Sequence, residues 1–235
     1  MGADAHLIEA IDATFRFEIQ QAHANHSKTL LPLIRDRVMF HFAIHFALRV
    51  SELVSCQMSV FKPSHEPAME RFGKLGTLTV TGKNQVTGII PMREQQVYDL
   101  LDWYIRVIRP KLLLRRKIGD QNTTTCQFDG KTYRVSELLF ISERGGVVLP
   151  NTFRTRLTKV AISSGVISNK LTPHILRHTG CTLMVPLYSP EMAQKYVRHK
   201  HLRTTLYYYH PATLDAGNEV NAAMELFDDE DEDEE

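Results

Sequence analysis

Three things are scarce in this chain of 235 residues, and each absence removes a class of function. Cysteine is one: Cys56, Cys126 and Cys181 are odd in number and widely spaced, so no disulfide framework and no Cys-x-x-Cys metal site is implied. That pattern fits a reducing, intracellular setting. Long apolar runs are a second: no stretch reaches about 18 residues, and the start of the chain lacks a charged-then-apolar leader pattern, so no membrane partner is expected. Acidic ligands near histidine are the third. His41 and His45 stand at i, i+4 but lie among phenylalanines with no acid between them, which reads as core or surface histidines rather than a metal pair.

With 43% hydrophobic residues, the chain can bury a core in one domain, or in one domain plus an appendage. The formal charge of +1 conceals a segregation of charge. Residues 228–235 read DDEDEDEE, an acidic tail expected to be disordered. Setting those eight of the 27 acids aside leaves 19 against 28 lysines and arginines, so residues 1–227 carry +9. A basic body suits a polyanion, and its affinity for one should fall with salt.

The densest chemistry lies at 171–210, LTPHILRHTGCTLMVPLYSPEMAQKYVRHKHLRTTLYYYH. Pro173 suits the first turn of a helix, on which His174, Arg177 and His178 at i, i+3 and i+4 share a face. A second helix is expected near Pro190. A third should begin near Thr204 and Thr205 as N-caps, with Tyr207, Tyr208 and Tyr209 in its first turns. A tyrosine hydroxyl, with a pKa near 10, becomes a nucleophile only beside a base or in a cationic site. Attack on a phosphodiester builds charge on the non-bridging oxygens, which arginine forks match. The composition suits phosphoryl transfer to tyrosine.

Here a family resemblance emerges. HILRHT at 174–179 resembles the His-x-x-Arg box of the tyrosine recombinases, or phage integrases. VRHKHLRTTLYYYH at 197–210 is similar to their second box, in which the nucleophilic tyrosine follows a histidine by nine residues; nine from His199 is Tyr208. LRVSELVSC at 48–56 resembles their first arginine box, with Arg49 as the arginine and Glu52 three residues later. The resemblance implies a site-specific DNA recombinase acting through a 3′-phosphotyrosine, in integration, excision, inversion or resolution of a mobile element. In it Tyr208 attacks, Arg49 and Arg177 hold the non-bridging oxygens, His174 is the base or orienting group, and His199 donates to a phosphate oxygen. Glu52 and His178 support these residues from behind. Neither metal nor other cofactor is expected, and a histidine-metal site built from His174, His178, His199 and His201 lacks acidic ligands. The rivals are a type IB topoisomerase, which would relax DNA lacking any recombination site, and an inactive DNA-binding protein of the same fold, which would form no covalent adduct.

Alternating β-branched residues at 77–82 and 86–91 predict a hairpin turning at Gly82-Lys83-Asn84-Gln85. The resemblance makes Lys83 the general acid that protonates the departing 5′ oxygen. VTG stands after the turn, where the family commonly has more basic residues. Helices are expected over 5–24, 30–47, 94–116 (kinked or ended at Pro110) and 150–164, with a loop or short hairpin over 118–135. Arg154, Arg156 and Lys159 should then face DNA, as that region does in the family. The basic end of the third helix, Arg106 to Lys117, should touch phosphate or be solvated.

The fold class is therefore mainly α with a small antiparallel β hairpin or sheet, as in the tyrosine-recombinase catalytic domain. Residues 1–28 form an N-terminal helical segment, 29–227 the catalytic domain and 228–235 the tail. The apolar residues Leu214, Val220, Met224, Leu226 and Phe227 form a last amphipathic stretch, which packs on its own domain or, in the family, on a neighbouring protomer. The partners implied are double-stranded DNA and a homo-tetramer on it, in the cytoplasm at the nucleoid. The resemblance covers roughly 30–226 and leaves out the DNA-clamp domain that many members carry before the first arginine box. That is expected either of a catalytic-domain-only member or of a trimmed chain. Two departures stand out: Arg198 replaces the usual Gly before His199, with an expected effect on the backbone there, and Gly180-Cys181 replaces a bulkier pair.

Overall fold

The computed structural model describes residues 5–82, 86–115, 125–165 and 171–209. They assemble around α2, Leu30–His45, whose sequence LLPLIRDRVMFHFAIH is apolar on nearly every side and is buried accordingly. Phe42 lies with its ring centroid 4.7 Å from Phe46 and 5.5 Å from Phe140. Helix α1, Ala5–Ala24, adds Ile11 and Phe15 to this core and packs on α2. Asp12 fastens the two helices, accepting from Arg37 at 2.6 and 3.2 Å and meeting His41 at 2.6 Å. Burial alone would raise the Asp12 carboxyl, but His41 and Arg37 outweigh it and hold it well below the usual carboxylate range. His45 is buried, with Nε2 accepting from the Arg93 amide at 3.3 Å. Both histidines thus serve packing and pairing.

A second polar knot joins α2 to later segments. The fully buried Arg35 donates to Asp36 Oδ1 from Nε and Nη2 (2.9 and 2.6 Å) and to the Ile141 carbonyl from Nη1 (2.9 Å). Asp36 also accepts from Arg156 at 3.1 Å, and Arg156 pairs closely with Glu143. Arg156 sits on α6, Pro150–Ser163, and points inward, unlike its expected DNA-facing role; Arg154 and Lys159 on the same helix are exposed.

The expected hairpin is present as β2, Thr77–Thr81, and β3, Thr87–Pro91, with Leu78 opposite Ile90 and both fully buried. A short strand not foreseen in the sequence, β1 at Phe61–Lys62, adds to β2 and makes a three-stranded antiparallel sheet in the order β1-β2-β3. Two residues carry too little alternation to register as a strand. The hairpin turn Lys83–Gln85 lies outside the described residues. Next comes one helical run: α4, Gln95–Trp103, a π turn over Tyr104–Ile108, and α5, Arg109–Leu114. The π turn falls just before Pro110, which has no N–H to give to the regular ladder. Arg109, at the end expected to meet phosphate or solvent, does neither: Nε and Nη2 donate to the Leu138 carbonyl at 2.8 and 2.7 Å. A second hairpin follows, β4 at Thr125–Phe128 with β5 at Lys131–Arg134.

The C-terminal elements are α7, Pro173–Met184; α8, Pro190–Val197; and α9, Leu202–Leu206. Proline opens both α7 and α8, and each is capped by the residue before it: Thr172 accepts from the Ile175 amide at 3.3 Å, Ser189 from the Met192 amide at 3.4 Å. Thr204 and Thr205 lie inside α9, and His201 takes the N-cap position expected of them. Among the described residues no helix is long and apolar enough to cross a membrane.

Helix α7 meets the end of α2 at Gly180. A Cβ there would stand 2.3 Å from the Ile44 carbonyl oxygen and 3.0 Å from the Ala47 Cα, both backbone atoms that cannot swing away. Gly180→Ala is therefore expected to lower stability by about 1–3 kcal/mol through overpacking. Urea unfolding measures this, and a midpoint equal to that of the unaltered chain would show that α7 can retreat freely.

Candidate active site

Four chain segments converge at one end of α7. The loop leaving α2 turns at Ala47, whose φ of 46° is a left-handed conformation, and delivers Arg49 as the N-cap of α3, Val50–Val54. Glu52 reaches back to the Arg49 amide at 2.9 Å, closing a capping box, and its other oxygen meets Arg49 Nη1 at 3.3 Å. Helix α7 contributes Arg177, the end of α8 contributes Arg198, and α9 with the turn after it contributes Thr205 and Tyr208.

Arg177 is buried, donating from Nη1 to the Ala47 carbonyl and from Nη2 to the Val197 carbonyl, both at 2.7 Å. Arg198 occupies the left-handed region at φ 60°, ψ 37°. A glycine would take that conformation without cost, so the Arg-for-Gly exchange does not disturb the turn; the chain adopts it with arginine at a strain of about 1–2 kcal/mol. The Arg198 side chain turns inward, and Nε and Nη2 grip Glu52 at 3.2 and 2.8 Å. Burial alone would raise the Glu52 carboxyl, but Arg198, Arg177 and Arg49 together bring it down to about 2. The carboxylate is ionised at any working pH.

The three tyrosines, expected in the first turns of the third C-terminal helix, instead follow Leu206, the last residue of α9, in turns closed by bonds such as Tyr208 N–H to the Thr205 carbonyl at 3.1 Å. They separate cleanly. Tyr208 is buried, its ring stacked on His199 at 5.8 Å and 21° and lying edge-on to His178 at 5.2 Å. Tyr207 faces His178 at 6.5 Å, and the Tyr209 hydroxyl donates to the Tyr188 carbonyl. His199 is itself buried, with Nδ1 3.1 Å from Thr205 Oγ1 and Nε2 4.0 Å from Cys181 Sγ. The hydroxyl of Tyr208 also interacts with Cys181, and burial pushes its pKa far up. His174, one turn before His178 on α7, is exposed.

The structure thus brings Arg49, Glu52, Arg177, His178, His199 and Tyr208 together. His174 shares the helix face of His178 one turn away but is exposed, and Lys83 lies outside the described residues. Its neighbour Gly82 is in place, though: a Cβ there would be 3.3 Å from both Arg49 Nη1 and Glu52 Oε1. Sequence reasoning missed Arg198, Cys181 and Thr205 as members of the site. Arg198 carries a signal in the sequence, being a cation inside the second box.

Burial pulls His199 well below its ordinary value, with Arg177, Arg49 and Arg198 adding to the effect, and burial brings His178 down to about 4. Both imidazoles are neutral in the fold at pH 7. Because their folded pKa values lie below the unfolded ones, their contribution to stability is complete above about pH 6.5. It is lost as pH falls toward 4, since the unfolded chain takes up protons that the folded one refuses. The Tm is therefore expected to fall between pH 7 and 5, and to fall less in a His199→Gln variant. Equal slopes for the two proteins would remove His199 from this effect.

Comparison with known proteins agrees with this geometry. The XerD tyrosine recombinase of Proteus mirabilis is 30% identical over 181 residues, 77% of this chain and 49% of that protein. XerD of Vibrio vulnificus strain YJ016 is 29% identical over 182 residues, again 77% of this chain and 50% of the relative. The chain spans about half the length of the XerD relatives it matches. Among solved structures, XerH recombinase bound to its difH substrate superposes with a TM-score of 0.59 at 15% identity, covering 94% of this chain and 53% of that one. The Tn1549 transposon integrase on transposon right-end DNA gives 0.60 at 16% identity, covering 96% and 65%. A lambda integrase tetramer on a Holliday junction gives 0.54 at 16%, covering 92% and 50%. At these identities the likeness is one of fold. The model of the phage integrase family matches residues 17–214, most of the chain and every described residue of the site, and the chain belongs to that family.

Proposed function

We propose that the chain is a site-specific DNA recombinase that cuts and rejoins strands through Tyr208. The observation that carries this reading is the orientation of the tyrosines: of three in a row, Tyr208 is the one stacked on His199 inside a site with three guanidinium groups. Its hydroxyl oxygen attacks the scissile phosphorus and forms a 3′-phosphotyrosine, while the bond to the 5′ oxygen breaks. The phenolic proton is taken up on the α7 side, with His174 as the base or orienting group toward Tyr208 and His178 supporting it from behind. Lys83 gives a proton to the leaving 5′ oxygen. Arg49 and Arg177 hold the non-bridging oxygens as charge builds there, and His199 adds a hydrogen bond. Religation is the same path reversed. It needs no nucleotide, because the phosphotyrosine keeps the energy of the broken bond.

Tyr208 is only 2% exposed, so attack requires α9 and the turn after it to shift when DNA enters. The partner is double-stranded DNA, supported by the +9 of residues 1–227 and by the DNA-bound neighbours of the same fold. Residues 29–227 are assigned as the catalytic domain, 1–28 as a helical segment resting on it and 228–235 as an acidic tail. Assembly as a homo-tetramer on DNA through the C-terminal segment is the corresponding arrangement. The test is a suicide substrate, a nicked duplex carrying the sequence that flanks the gene's own element. A protein–DNA adduct that survives detergent is expected. Failure to form one would overturn the assignment, and relaxation of a plasmid without the site would favour a topoisomerase.

A further inference from the structure

Arg198 has no role in the reaction just described, yet it is among the most completely engaged side chains of the site. It is 2% exposed as a residue, and its guanidinium touches three segments at once. Nη1 donates to the Tyr196 carbonyl at 2.6 Å, at the end of α8. Nη2 donates to the Ala47 carbonyl at 2.8 Å, in the loop that delivers Arg49. Nε and Nη2 hold the two oxygens of Glu52 on α3 at 3.2 and 2.8 Å. The Ala47 carbonyl is also where Arg177 Nη1 is anchored. With its side chain wholly enclosed, Arg198 is not placed to touch a phosphate, whereas Arg49 keeps 11% of its side chain open.

We propose that Arg198 is a positioning residue that locks the Ala47–Glu52 turn and holds Glu52 by a two-pronged grip, so that Arg49 and Arg177 are aimed at the scissile phosphate. The physical reason is competition for a carboxylate. Glu52 faces Arg49 on its own helix, Arg177 from α7 and Arg198 from α8, with the Cys56 thiol also close enough to feel its charge. Arg198 makes the short, forked pairing, while the Arg49 guanidinium meets Glu52 at 3.3 Å. If Arg198 were removed, the buried carboxylate would draw Arg49 inward for its missing bonds, away from the substrate. The sheet seals this arrangement: a Cβ at Gly88 of β3 would stand 3.2 Å from Arg198 Cγ and 2.5 Å from the Lys195 carbonyl.

This inference rests on Arg49 and Arg177 acting as the phosphate clamp, and its test separates the two readings. Arg198→Gly keeps the left-handed turn while deleting the guanidinium, and Arg198→Lys keeps the charge while deleting the fork. Single-turnover adduct formation at saturating DNA is measured beside DNA affinity. Arg198→Gly is expected to slow adduct formation by about 10–100-fold, the scale of lost orienting contacts, while affinity changes less than about threefold. In a Glu52→Gln background the same Arg198→Gly change should add little further slowing, because the carboxylate it acts through is gone. Should Arg198→Gly not fold, Arg198→Lys carries the test: about tenfold slowing is expected, since one ammonium cannot replace the fork. An unchanged rate in the variant that folds, a rate and affinity that fall together, or a full extra loss in the Glu52→Gln background would each overturn the proposal. Absence of any adduct from the unaltered chain would instead overturn the clamp reading. The grip on Glu52 would then be judged by non-additive unfolding midpoints of Arg198→Gly, Glu52→Gln and the double variant, and additive midpoints would overturn it as well.

Discussion

Tyr208→Phe is expected to abolish the covalent protein–DNA adduct while leaving DNA binding within a few-fold of the unaltered chain. The substitution removes one oxygen from a buried ring, and the stacking on His199 at 5.8 Å uses only the ring. The fold should survive it. Tyr207→Phe and Tyr209→Phe should both retain the adduct. The three tyrosines lie in the turn after α9, and their rings have different surroundings: Tyr208 stacks on His199, while Tyr207 lies edge-on to both His178 and Tyr208. The Tyr209 hydroxyl is spent on the Tyr188 carbonyl, so its loss should show as reduced stability. Suicide-substrate trapping of the three variants in parallel checks this, with binding measured by gel shift. An adduct that persists in Tyr208→Phe and vanishes in either neighbour would reassign the nucleophile.

Lys83→Ala should slow cleavage of ordinary DNA by about 10²–10⁴-fold, the range of lost general-acid catalysis. The diagnostic is rescue. A strand with a 5′-bridging sulfur expels a thiolate, which needs little protonation because thiols have pKa values near 8.5. On that strand Lys83→Ala should recover most of its rate. Arg49→Ala and Arg177→Ala should recover much less, since they act on the non-bridging oxygens. Gly82, the last described residue before Lys83, lies near Arg49 and Glu52, where a Cβ would be 3.3 Å from each. Equal defects on both strands would take Lys83 out of the proton-donor role and turn attention to the exposed Lys74 or to a histidine.

A property of this protein is legible in the sequence when it is local in the chain. Helix starts at Pro173 and Pro190, the hairpin at 77–91 and the nine-residue spacing from His199 to Tyr208 are short-range, and residues alone determined them. The reading of His41 and His45 as core or surface histidines is equally local, since it follows from their phenylalanine neighbours. The two-residue strand β1 was not legible, because it exists only through pairing with β2. Arg109 and Arg156 read as surface cations, and only the folded chain shows that each satisfies buried groups far away in sequence. The same holds for the centre of the site. Arg198 and Glu52 are 146 positions apart, and nothing in either neighbourhood announces the pair. A local box can place a residue on a face, but which cation takes a buried carboxylate is decided by where the segments carrying them pack. Here Gly180 against Ile44 and Ala47 and Gly88 against Arg198 set those approaches, and the tertiary structure alone made Arg198 part of the site.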